Sequence, residues 1–155
     1  MDHKHREELI LRYREGPAVI EAALAGSTDE QLDHRPADGG WTAREVVHHL
    51  ADSEMASAIR LRRLVAEDSP LIQGYDEMEY SRRLHYDRPI GPSLLAMRAA
   101  RESTASILDR LEEDEWARAG THSESGPYSV QRWLEIYAVH AHDHADQIKS
   151  ALAES

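Results

Sequence analysis

Apolar residues recur at intervals of three and four along most of the chain and mark out four long amphipathic helices. The first covers about Lys4 to Ala25, with Leu9, Ile10, Tyr13, Ile20 and Leu24 on its apolar side. Gly16-Pro17 interrupts it: proline has no amide hydrogen to donate and its ring crowds the preceding turn, so the pair predicts a kink or a split in two. A turn-rich stretch follows, with Arg35-Pro36 and Gly39-Gly40. The second helix starts at a capping box, Thr42-Ala43-Arg44-Glu45, and extends to about Ala66. Residues 67–91 read as irregular, with a short helix over Asp76 to Leu84. Pro92 suits the first turn of a third helix, which carries Leu94, Leu95, Ile107 and Leu108 and ends near Leu111. Residues 116–128 read as a turn or small hairpin around Ser125-Gly126-Pro127, and the fourth helix runs from Ser129 to about Leu152.

Strand signals are few: phenylalanine is absent, and runs of alternating Val, Ile and Thr are missing. Four long helices with connections of unequal length predict an all-α four-helix bundle, with a looser orthogonal all-α domain as the runner-up. A chain of 155 residues suits one domain spanning 1–155. Its 41% hydrophobic and 30% charged content fits a folded globular protein.

Charge and cysteine content narrow the chemistry. A formal net charge of −11 without a basic stripe argues against nucleic acid as a partner. With no cysteine, disulfides, zinc-thiolate sites and a cysteine nucleophile are excluded, so any metal must be held by nitrogen and oxygen. The opening MDHKHREE is too charged for a signal peptide, and no apolar run is long enough to span a membrane. A cytoplasmic protein is the expectation.

The ten histidines are therefore the main chemical resource. In HAHDHADQI, residues 140–148, three of them alternate. On a helix each residue advances about 100°. Val130, Leu134, Tyr137, Ala141, Ala145, Ile148 and Leu152 share one side of the fourth helix. Relative to their centre, His144 lies about 40° away, His140 about 80°, and His142 about 120° on the opposite flank. His140 and His144, one turn apart, thus form an inward or edge-facing pair, while His142 is expected to face solvent with Asp146. Two histidines at this spacing can chelate a divalent metal, although Ala141 replaces the glutamate of an HExxH motif; a hydrogen-bonded edge pair is the simpler alternative. The second helix offers adjacent His48 and His49, at about 140° and 120° from its apolar centre. Both are flank positions, and two exposed histidines explain them as well as a ligand does.

Three stretches carry a family resemblance: GGWTAREVVHHLADSE (39–54), EDSPLIQGYDE (67–77) and YAVHAHDHADQI (137–148). The chain resembles the DinB-like superfamily of helical metal-binding proteins, most closely its YfiT-type branch, from about Leu24 to Ile148. It departs from the commoner His-His-x-x-Gln-Ile ending, with Asp143 in place of the first histidine and His144 in place of the second. The resemblance implies an up-down-down-up bundle binding a divalent metal, often zinc or nickel, through three histidines. Carried over, these are His49, His140 and His144.

Three neutral imidazoles would leave open positions on the ion, the arrangement of catalytic rather than structural sites. Glu45, Asp52 and Asp143 are candidates to hold the far nitrogens of the ligand rings, with Glu45 also claimed by the capping box. The resemblance implies either hydrolysis or S-transfer from a low-molecular-weight thiol such as bacillithiol, and thiol transfer is set ahead of hydrolysis here. The partners expected are a small-molecule substrate and a second copy of the chain. The alternative is a non-catalytic metal-binding or structural bundle. Tyr75, Asp76, Tyr80, His85 and Tyr86 lie in the long 67–91 segment, which is expected mainly as a solvated cover, although such loops also shape sites. Trp41 and Trp133 read as packing residues, His3 and His5 as a solvated end, and His122 as a residue able to approach the mouth of the site.

Overall fold

Four long helices do form, and the capping box expected at Thr42–Glu45 is present. A computed structural model describes residues 1–155. Helix α1 is His3–Leu24, α2 Asp29–Leu32, α3 Ala43–Ala66, α4 Glu77–Arg83, α5 Gly91–Leu108 and α6 Val130–Ala153. The Thr42–Glu45 capping box opens α3, and the Ser129 hydroxyl caps α6. Helix α5 stops at Leu108 rather than Leu111, and its Leu95 is exposed while Met97, Ala105 and Leu108 face the core. The short α2 and its own capping box, Thr28 with Gln31, lie in the stretch expected only as turns.

The directions of the helices follow from two apolar clusters at opposite ends of the bundle. One gathers Tyr13, Leu61, Leu64, Leu108 and Trp133. The other gathers Ile20, Leu24, Val46, Leu50, Met97 and Ile148. Helices α1 and α6 therefore run from the first cluster to the second, while α3 and α5 run back. The order is up-down-down-up, with α1 and α3 on opposite corners and α5 and α6 between them. All four helices carry the seam between the clusters, and the histidines of α3 and α6 belong to that middle zone.

The strands expected from the hairpin are present, with one addition. β2 (Ala119–His122) and β3 (Gly126–Ser129) pair antiparallel, and β1 (Leu71–Ile72) adds in parallel to β2, with Ile72 opposite His122. This small sheet covers one end of the bundle, and Ile72 and Tyr128 fill the core beneath it.

Gly16-Pro17 does not split the first helix, which continues through Pro17. Proline leaves the carbonyl of Tyr13, four residues back, without its helical donor. The Arg101 guanidinium supplies that donor through Nη1. Gly16 makes the approach possible, because a Cβ there would lie 2.2 Å from Arg101 Nη1 and 3.0 Å from the Ala141 Cβ. The dipeptide thus receives a buried arginine. Gly16→Ala should destabilise the fold by about 1–3 kcal/mol through overpacking against α5 and α6, measured as the shift in urea midpoint. An unchanged midpoint would show that Arg101 moves aside freely.

Candidate metal centre

Helices α3 and α6 pack side by side, and the middle of that seam is polar. His49 from α3 meets His140 and His144 from α6, with ring centroids 5.8, 4.8 and 4.6 Å apart for the pairs 49–140, 49–144 and 140–144. One ring nitrogen from each of the three can be chosen so that all lie within 4.8 Å of one another. Ligands bound at about 2.1 Å in tetrahedral geometry lie roughly 3.4 Å apart. A shift of about an ångström would draw the rings to that spacing, well within side-chain freedom.

Hydrogen bonding then assigns the tautomers. Nδ1 of His140 lies 3.2 Å from Glu54 Oε1, and Nδ1 of His144 lies 2.8 Å from Gln147 Oε1. Both oxygens are acceptors, so each Nδ1 carries the hydrogen, and Nε2 is the nitrogen left to offer a lone pair to a metal. His49 Nδ1 is buried without a hydrogen-bond partner, and Trp41 lies against its ring at 4.9 Å. Burial above all, with help from His144 and His140, holds the His49 pKa down at about 3. Burial and His140 likewise lower that of His144. Neutral rings with free or orphaned nitrogens fit a divalent cation.

His48 is different, although it is also buried. Its Nε2 donates to the Arg88 carbonyl at 2.8 Å, and its Nδ1 accepts from the Ser93 hydroxyl at 2.8 Å. Both nitrogens are spent tying α3 to the start of α5. The expectation that both histidines could be exposed is overturned, because α3 is covered by α5 on one flank and by α6 and Trp41 on the other. His142 is half-buried rather than solvated, and its Nε2 donates to the Arg12 carbonyl of α1.

The carboxylate behind the cluster is one the sequence analysis missed. Glu45 serves its capping box and binds Arg35, Asp52 accepts from Tyr86 Oη, and Asp143 is exposed; none holds a cluster ring. Glu54 does, and it is fully buried against Arg101, Nη2 to Oε1 at 2.7 Å. Burial alone would raise the Glu54 pKa, but Arg101 and His140 outweigh it and hold the carboxyl ionised. Arg101 also donates to the carbonyls of Tyr137 and Tyr13. One guanidinium thereby links α1, α3 and α6 directly behind His140.

A cavity of about 230 Å³ opens beside His140, lined in part by Ser53, Arg60, Tyr75, His122 and Tyr137. His122 lines this cavity together with His140. The 67–91 segment is more than a solvated cover: much of it faces solvent, His85 included, but Tyr75 lines this cavity and Ile72 and Tyr86 are buried.

Comparison with known proteins places this geometry in context. The sequence profile of the DinB superfamily matches residues 12–148. A protein of Oceanobacillus iheyensis is 36% identical over 92% of this chain and 83% of its own length. The YfiT protein of Bacillus subtilis is 33% identical over 94% of this chain and 83% of its own length. Both carry the name "Putative metal-dependent hydrolase". The solved structure of Bacillus subtilis YfiT, described as having an unusual four-helix bundle topology, superposes with a TM-score of 0.93 at 30% identity, covering 99% of this chain and 89% of that one.

Two outcomes follow from the geometry. Glu54→Gln, which keeps the shape and removes the charge, should weaken Zn²⁺ binding roughly 10–100-fold and destabilise the fold by about 3 kcal/mol through the stranded Arg101. Chelator competition and urea melts read the two effects separately; unchanged metal affinity would remove Glu54 from the centre. The second outcome concerns pH. The His49 pKa is lower folded than unfolded, so the unfolded chain takes up the proton first. The metal-free protein should therefore keep its full His49 contribution above an ordinary histidine value of about 6.5 and lose about 1.4 kcal/mol per pH unit as pH falls from there towards 3. His49→Gln should make that acid slope shallower, and parallel slopes for the two proteins would refute the assignment.

Proposed function

The chain belongs to the DinB superfamily, and on that premise we propose that it is a metal-dependent hydrolase whose ion is held by His49, His140 and His144. The observation that carries the reading is the convergence of three imidazoles from α3 and α6, two of them with Nδ1 held by an acceptor so that Nε2 is left for the ion. The names of its relatives support hydrolysis as the reaction. A divalent ion on three neutral imidazoles keeps its full charge and open positions, and when bound it supplies Lewis-acid activation. Zinc or nickel suits such a nitrogen set.

The protein's own contribution is orientation and exclusion of water. Glu54 and Gln147 lock two rings, so the donor atoms are pre-positioned before an ion arrives. Trp41 shields His49 from bulk water on one side. The cavity at His140 gives a small molecule access from the other side. S-transfer from a low-molecular-weight thiol such as bacillithiol is the second reading, because a divalent ion also stabilises a thiolate. The relatives' names put hydrolysis first.

Purified protein should take up about one Zn²⁺ or Ni²⁺ per chain. His140→Ala and His144→Ala should each weaken that uptake at least about ten-fold without unfolding the bundle, as checked by circular dichroism. The loaded protein is then assayed against ester and amide panels, and against thiol–electrophile pairs. Turnover lost on chelation and restored by metal supports the enzyme, and the productive panel chooses between the readings. Metal uptake without turnover in either panel would leave a non-catalytic metal-binding bundle; failure to take up metal at all would overturn the centre.

A further inference from the structure

The cavity beside His140 holds one permanent cation, Arg60. Its Nη1 donates to Tyr137 Oη and its Nη2 to the Gln73 carbonyl, each at 3.1 Å. Both acceptors are neutral, so the guanidinium charge is not met by the carboxylate that nearby arginines have. One turn along α3, Arg63 is paired with Glu67, and across the bundle Arg101 is paired with Glu54. An arginine carries five donors in a planar fork, and this one has donors left over. Tyr75, whose ring lies 5.7 Å from the Arg60 guanidinium carbon, has its hydroxyl buried without a partner and lines the same cavity. A half-buried unmatched cation and an idle buried hydroxyl are groups that a ligand's acceptor atoms would complete.

The rim limits what that acceptor can be. Glu77 and Glu124 also line the cavity, and both are exposed. A dianionic phosphate would carry one charge to Arg60 and leave another facing these carboxylates. A single negative charge avoids that repulsion.

We propose that this cavity is the substrate's carboxylate subsite, with Arg60 as the anchor, so that the bond to be broken is presented at the three-histidine end. The substrates are then small carboxylate-bearing esters or amides. The assignment rests on the metal-dependent reading above and deepens it.

The test uses cobalt-loaded protein and needs no turnover. Mercaptoacetate, 3-mercaptopropionate and 4-mercaptobutyrate are titrated against their neutral amides and phosphonate counterparts, following the thiolate-to-cobalt absorption band. At least one acid should bind about ten-fold more tightly than its amide, as expected for a charge-assisted contact, and more tightly than its phosphonate. Arg60→Met should abolish that preference while leaving cobalt affinity unchanged; Arg60→Lys should retain part of it. Equal affinities of acids and amides in the unaltered protein would overturn the proposal, and so would a preference that survives Arg60→Met. A phosphonate binding best would overturn the carboxylate assignment. Protein that takes up no cobalt fails before any thiol is added; that result sinks the metal reading and this one with it, and is distinct from failure at Arg60.

Discussion

The buried ion pair between Glu54 and Arg101 is the constraint from which the rest of the molecule is arranged. Neither charge has access to water. Such a pair gains from mutual attraction only if its remaining donors and acceptors are also met. Most are met, by carbonyls of α1 and α6 and by the ring of His140, and only the Arg101 Nε is left without a partner. Satisfying one arginine therefore fixes the approach of three helices, requires glycine at position 16, and makes use of the carbonyl that Pro17 frees. What would be a defect in an isolated helix becomes a binding feature in the bundle.

The same pair shapes the electrostatics of the centre. The two charges cancel, so the cluster adjoins a carboxylate without acquiring a net negative field from it. Burial keeps His49 and His144 neutral, and a neutral ring is what a cation competes for without first displacing a proton. The acidity of the whole chain resides on its surface, where it bears on solubility rather than on the centre.

The helices were legible because their period and caps are local: Thr42–Glu45, Pro92 and Ser129 each mark a start within one or two residues of the observed one. The strand Leu71–Ile72 was not, since two residues have no period and their partner lies some fifty positions away. Periodicity could not separate His48 from His49 because α3 is buried on several sides, with 14 of its 24 residues covered. A hydrophobic centre then says little about what faces inward, and family resemblance had to choose. The missed pair did leave a signal. Glu54 falls in register with Leu50, Ser57 and Leu61, and Arg101 with Met97, Ala105 and Leu108. A charge inside an apolar stripe demands an opposite charge facing it, and reading the two stripes together would have matched them.

The three-stranded sheet separates two tasks. Gly74 and Tyr75 follow directly from β1, and His122 ends β2; the Ile72–His122 register and a hydrogen bond from the Gly74 amide to Ser123 set these cavity walls. None of those contacts involves the helical face that gathers His49, His140 and His144. The strands thus shape the cavity wall, while Arg60 and the three histidines stand on the helices. A change in either strand would therefore remodel the cavity wall and leave the helical positions of the three histidines where they are.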